Sequence, residues 1–196
     1  LETAEGSGGT ITVGFISGGT YATTEAEAAQ IRLDMLNALL LHAWREPGTE
    51  QAAAALDMAN TTASCMALGG INDQLGGGFC RYSTDADWQI PHFEKMLYDN
   101  GPLLALYAQA FLATGDERFA AIANATADWM LADMQSPEGG FYATRDADSE
   151  GEEGLYYLWT PEQVRELLDD DDYPLFASRF GLDEPANFEG RWHLTV

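Results

Sequence analysis

The chain has 196 residues, 46% of them hydrophobic and 11% aromatic, which is enough to bury the core of one domain and excludes disorder of the whole chain. Against 32 Asp and Glu stand only 9 Lys and Arg, giving a formal charge of −23, with Lys95 the only lysine. Such a surface repels phosphate backbones and anionic headgroups, so nucleic acid and membranes are not expected partners.

No apolar run approaches the length of a membrane span, and the amino terminus lacks the basic-then-apolar order of a signal peptide; the expected compartment is the cytoplasm. Residues 1–24 are rich in Gly, Ser and Thr and hold one β-like run, Thr10 to Ile16. They read as a linker or a severed edge. Since the chain opens on Leu1 and stops at "GRWHLTV" without a helix end, both termini are expected to be cut from something longer.

From Glu25 the pattern turns helical, with Ala29, Leu33, Leu36, Leu40 and Trp44 forming one stripe of a helix that ends before Pro47. A second helix follows Gly48, with the stripe Ala55, Ala59, Thr62 and Met66, and ends at Gly69-Gly70. Cys65 and Cys80 show no metal or redox spacing and read as reduced core thiols. The run "GGINDQLGGGF" lacks the Gly-Lys-Ser or Gly-Lys-Thr of a phosphate loop; its glycines serve tight turns and close packing under Phe79.

A third helix is expected from Pro91 to Thr114, with proline at its first position but Ile90 where a capping residue belongs. Two readings of that helix end stay open: Asp85 or Asp87 folds back onto it, or a substrate oxygen does. His92 would sit at the second helical position, where the helix dipole disfavours its protonated form and suits a general base. Met96 and Asp99 would share its face, Glu94 and Tyr98 a different one, and Phe93, Leu97, Asn100 and Leu104 a mostly apolar stripe. Gly101-Pro102 implies a bend or a restart that exposes Asp99 and Asn100.

A fourth helix, Asp116 to Gln135, follows Gly115 as a tight hairpin partner, burying Phe119, Ile122, Thr126 and Trp129. The acidic loop "DADSEGEEG" has calcium-loop spacing at its start, but Tyr157 stands where a bidentate glutamate is needed. No metal or cofactor is expected. The other reading sets Asp146 and Asp148 beside Asp85 and Asp87 across one cleft, as the carboxylate pairs that glycoside chemistry needs. Tyr82, Trp88, Tyr142, Tyr156 and Trp159 would offer ring faces to a sugar, or else simply cover the hairpin ends. A fifth helix opens on "TPEQV", where Thr160 and Gln163 fit a capping box around Pro161.

The interhelical loops repeat: "GGFCRYSTDADWQIP" and "GGFYATRDADSEGEEGLYYLWTP" share Gly-Gly-Phe 62 residues apart and Asp-Ala-Asp 61 apart. A unit of two helices plus a hairpin-like loop suggests stacked helical hairpins. The expected fold class is therefore all-α in the main, a partial (α/α)6 toroid with short β-hairpin loops, about three hairpins over residues 25–196. A full sixfold ring at this period needs about 370 residues. An open part-ring isolated from the rest is expected to self-associate.

"GGINDQLGGGFCRYSTDADWQIPHFEKMLYDN" and "GGFYATRDADSEGEEGLYYLWTPEQV" closely resemble the thioredoxin-domain-containing, spermatogenesis-associated family, and the likeness runs from about Leu36 to Val196. The resemblance implies a thioredoxin-like domain followed by a six-hairpin α/α toroid similar to N-acylglucosamine 2-epimerases and several glycosidases. The thioredoxin-like domain and the Ala-Pro-Lys-Phe-Pro motif expected ahead of the toroid do not stand in this sequence. Epimerase relatives use histidines on inner helices as acid and base, which points to His92 here.

The expectation is thus a carbohydrate-active, epimerase-like or glycosidase-like site at the loop end. Its catalytic candidates are His92, Asp85, Asp146, Glu94 and Asp99, and its sugar-binding candidates are Tyr82, Trp88, Asp148, Tyr142 and Trp159. The competing expectation is a non-catalytic binding or scaffold domain whose acidic loops serve folding or docking.

Overall fold

The computed structural model describes residues 25–196, with side chains from Leu33 onward. The segment 1–24 with its run Thr10 to Ile16, and the side chain of Ala29, lie outside the described residues. The remainder is mainly helical, with six α-helices and three small antiparallel strand pairs among the described residues.

Helix α1 (Glu25–Arg45) and α2 (Glu50–Leu68) form the first hairpin, and α3 (Leu97–Thr114) and α4 (Glu117–Trp129) the second. Short connections force each pair antiparallel, and α1 also packs on α3. One continuous core lies between them, built on Leu33, Leu36, Leu40, Ala59, Met66, Leu106, Tyr107 and Phe119. The Tyr107 hydroxyl, fully enclosed, donates to the Ala63 carbonyl at 2.8 Å and so ties α3 to α2. Thr62 and Thr126, both buried, satisfy their hydroxyls on the carbonyls one turn back.

The helix signals hold at most ends. Thr49 caps α2 through the Ala52 N–H, Gly69 ends it, Gly115 closes α3 in a left-handed conformation, and Asp116 caps α4. Both predicted stripes of α2 and α4 are inside, with Ile122 only partly so. Trp44 departs from the stripe of α1: it is 77% exposed, because the start of α2 opposite offers only Glu50, Gln51 and alanines, without bulk to cover an indole. The last turn of the fourth helix, Met130–Met134, winds as a π-helix instead of continuing as α.

The third hairpin is α5 (Pro161–Leu167), capped by the Thr160–Gln163 box as expected, and α6 (Asp172–Phe180), which periodicity missed. Its buried residues Val164, Ala177, Leu182 and Leu194 form a cluster of their own. Strand β1 (Lys95–Met96) pairs with β2 (Thr144–Arg145), β3 (Asp148–Ser149) with β4 (Glu152–Glu153), and β5 (Leu158–Trp159) with β6 (Trp192–His193). The β5–β6 pair closes the third hairpin on itself, and the bonds from His193 Nε2 to the Gly70 carbonyl and from the Val196 N–H to the Leu68 carbonyl join it to the rest. Among the described residues, no helix is long and apolar enough to cross a membrane.

Candidate functional site

The third helix starts six residues later than its proline suggests, and this moves the whole site. Pro91 to Glu94 is extended: the His92 N–H donates to the Tyr82 carbonyl, the Arg81 N–H to the Glu94 carbonyl, and Ser83 bridges to Pro91. Lys95 and Met96 then pair with Arg145 and Thr144. These cross-chain bonds satisfy the backbone that a first helical turn would have used, so α3 begins at Leu97 behind Met96, which makes no side-chain cap. His92 is therefore not at a helix amino terminus, and the dipole and helical-face arguments for it do not apply. Pro102 lies inside a continuous α3, without a restart.

Asp85 caps its own loop rather than the helix. One carboxylate oxygen accepts from the Asp87 and Gln89 amides at 2.8 and 3.0 Å, and the other from Ile90 at 2.6 Å. This pins a tight tip in which Trp88 takes φ +63° and packs against the main core. Asp146 does the same on a smaller scale in the second loop, accepting from the Asp148 amide at 3.2 Å. All four loop aspartates are exposed, and no hydrogen bond joins Asp85 to Asp146 or Asp148 among the described residues.

The two loops do meet, through other residues. His92 Nδ1 stands 3.0 Å from Glu153 Oε1 on β4, and its ring stacks on Tyr82 at 5.3 Å and 12°. On its other side Nε2 is 3.9 Å from Glu94. Arg81 sits at the centre: Nη1 donates to Glu94 at 3.1 Å, Nη2 to the Tyr98 hydroxyl, and the guanidinium lies over the Tyr98 and Tyr82 rings. Its Nε is 3.5 Å from Asp99 Oδ2, and both of those atoms are buried without a hydrogen bond.

Burial lifts the Asp99 carboxyl to about 6 against the pull of Arg81, with Glu94 adding to the rise. The cluster thus holds two carboxylates on one arginine, one of them raised by burial toward neutrality, beside a partly exposed imidazole. Such a set can exchange protons with a bound hydroxyl. Of the residues expected to act, it brings together His92, Glu94, Asp99 and Tyr82. Asp85, Asp146, Asp148 and Trp88 lie in their own turns, the exposed Tyr142 bonds through its N–H to the Met134 carbonyl, and Trp159 on β5 pairs with Trp192 on β6.

Sequence reasoning missed Arg81, Tyr98 and Glu153, and it noted Lys95 only for being alone. Lys95 is 1% exposed. Its ammonium donates to Asp73 Oδ2 and the Gly77 carbonyl, each at 2.8 Å, and sits 4.9 Å from the centres of the Trp129 and Tyr157 rings. Burial works to raise the Asp73 carboxyl, but Lys95 and the Gly76 and Leu75 amides hold it below the ordinary range. Beside this pair, burial pushes the Cys80 thiol up to about 12, which keeps it protonated and inert. Both cysteines are free.

Asn100, expected as an exposed interruption, is fully buried: it accepts from the Phe79 amide at 2.7 Å and donates to the Phe79 and Met96 carbonyls. Among the described residues, no group of three or more His, Cys, Asp or Glu could hold a metal ion.

The chain is 40% identical to human spermatogenesis-associated protein 20 over 83% of its own length and 23% of that protein's. The mouse protein of the same name is 41% identical over 71% of this chain and 20% of its own length, and an uncharacterized protein of Caenorhabditis elegans is 38% identical over 78% and 23%. Identity at this level supports the family resemblance that the loop motifs carry. The chain spans about a fifth to a quarter of the length of these curated relatives. No family model matches it.

Proposed function

We propose that this chain is part of an α/α toroid whose loop-end cluster performs acid/base chemistry on a sugar, in the manner of an epimerase or a glycosidase. The observation that carries the reading is the Arg81 fork, which holds Glu94 and Asp99, whose carboxyl burial raises, next to His92 where two loops close on each other. In this reading Asp99 is the acid and His92 the base, while Glu94 and Arg81 orient them and Tyr82 contacts the ring. The two packed hairpins α1–α2 and α3–α4 support the toroid, as does the shared loop pattern that follows each of them.

A second reading has its own support. The His92–Glu153 and Arg81–Glu94 contacts are ion pairs between segments, and a scaffold that only needs its loops welded would show the same bonds. Thermal-shift titration with a panel of monosaccharides separates the two. The enzymatic reading expects a sugar that stabilises the chain and an effect lost in His92→Ala and Asp99→Asn; no stabilising sugar, with His92→Ala less stable than the parent, supports the scaffold.

A further inference from the structure

A concavity lies beside the Lys95–Asp73 pair, between the turn Asp73–Gly76 and the segment Tyr156–Trp159. Its volume is about 390 Å³, within the size range of small-molecule pockets, and Asp73, Leu75, Tyr156, Tyr157, Trp159 and His193 line it. The charge at its floor is balanced. Asp73 is an acceptor for two amides and for Lys95, which lies 2.8 Å behind it, so a carboxylate with room for one more donor faces a buried ammonium. A cationic ligand would meet the Lys95 charge, and an anionic one would meet Asp73 on a chain of charge −23. Neutral ligands meet neither penalty.

The walls are aromatic and differ in what they offer. Tyr157 has Lys95 over its ring and stacks on Phe93 at 5.7 Å, while burial raises its phenol, so its hydroxyl keeps its proton and serves as a donor. Tyr156 stands edge-on to Tyr157 at 5.1 Å and 84°, yet is 72% exposed: a large ring fixed at the rim with little core to fill. His193 is buried and held neutral by its burial; Nε2 donates to the Gly70 carbonyl at 2.6 Å, and Nδ1 is enclosed without a hydrogen bond.

We propose that this cleft is a binding site for a neutral, hydroxyl-bearing ring, with Tyr156 and Trp159 against its carbon face and Asp73 and Tyr157 on its hydroxyls. The site is separate from the His92 cluster and requires no reaction there.

Saturation-transfer NMR on the chain tests this with glucose, N-acetylglucosamine and myo-inositol, and with tetramethylammonium and acetate as charged controls. At least one neutral ring is expected to bind, and neither charged probe to bind more strongly. Tyr156→Ala should weaken that binding roughly tenfold, the loss of one ring contact of about 1.4 kcal/mol. Leu75→Trp, at a position already half exposed, fills the cleft and should abolish binding. Binding should persist in His92→Ala. The proposal is overturned if none of the three neutral compounds binds, if a charged probe binds better, or if both cleft variants bind like the parent. Loss in His92→Ala with retention in the cleft variants also overturns it, and moves the sugar to the other site.

Discussion

Asp99 is the group in the cluster whose charge depends most on the fold, and that dependence gives a signed expectation. Its ordinary value is 3.8, and burial raises it to about 6 in the folded chain. A raised carboxyl means that the folded state holds more protons than the unfolded one between those values, so the contribution is full below about pH 4 and is lost as pH rises through 6. Asp99→Asn mimics the neutral form at every pH. The melting temperature of the parent minus that of Asp99→Asn should therefore fall between pH 4 and 6.5; parallel curves would show that Asp99 is not perturbed. Tyr82, His92, Glu94 and Asp99 were legible as candidates because they lie close together in the chain, whereas Glu153 reaches His92 from a loop 61 residues further on. Arg81 and Lys95 were not, since a charged residue that is buried through pairing carries no periodic signal; the pairing is made by Asp73, 22 residues away in sequence.

Among the elements, the loop that carries His92 is seated by close backbone contact, which depends on glycine. A Cβ added at Gly70 would lie 1.9 Å from the Gln89 carbonyl oxygen, itself in the tip that Asp85 pins, and 2.7 Å from the His193 ring. Backbone on one side and a buried ring on the other leave no cheap adjustment. Gly70→Ala should cost about 3 kcal/mol or more in urea unfolding, whereas Gly140→Ala, whose nearest neighbour is 3.8 Å away, should stay within about 0.5 kcal/mol. Equal losses in the two would mean that the 69–70 turn is not packed against this loop. The two predicted helical hairpins, the end of α2 at Gly69 and the caps of α4 and α5 were readable because short-range chemistry settles them, while the Thr49 cap of α2 went unread. The start of α3 was not readable: Pro91 carries a local helix signal, and it yields to the strand pairing of Lys95 and Met96 with Arg145 and Thr144 from a distant loop.

At the scale of the whole molecule, repeated sequence did not mean repeated burial. Both Gly-Gly-Phe units make an antiparallel bridge after a helix, Asn72 to Phe79 and Gln135 to Phe141, but Phe79 is fully buried and Phe141 is 44% exposed. The first is clamped by Asn100 over the main core, and among the described residues no side-chain hydrogen bond of that kind is made to the Phe141 backbone. Phe141 joins Trp44, Leu112, Leu131, Leu167 and Leu175 as large apolar side chains left at the surface. Two forces then compete between copies: these residues gain by being covered, while the charge of −23 holds the molecules apart. Salt weakens only the second, because the screening length falls from about 10 Å at 0.1 M to about 3 Å at 1 M. Light scattering should consequently report an average mass that grows with sodium chloride, and Trp44→Gln, at 77% exposure, should lower it without loss of helix by circular dichroism. A monomer at every salt concentration would show that the exposed apolar surface is too scattered to drive association.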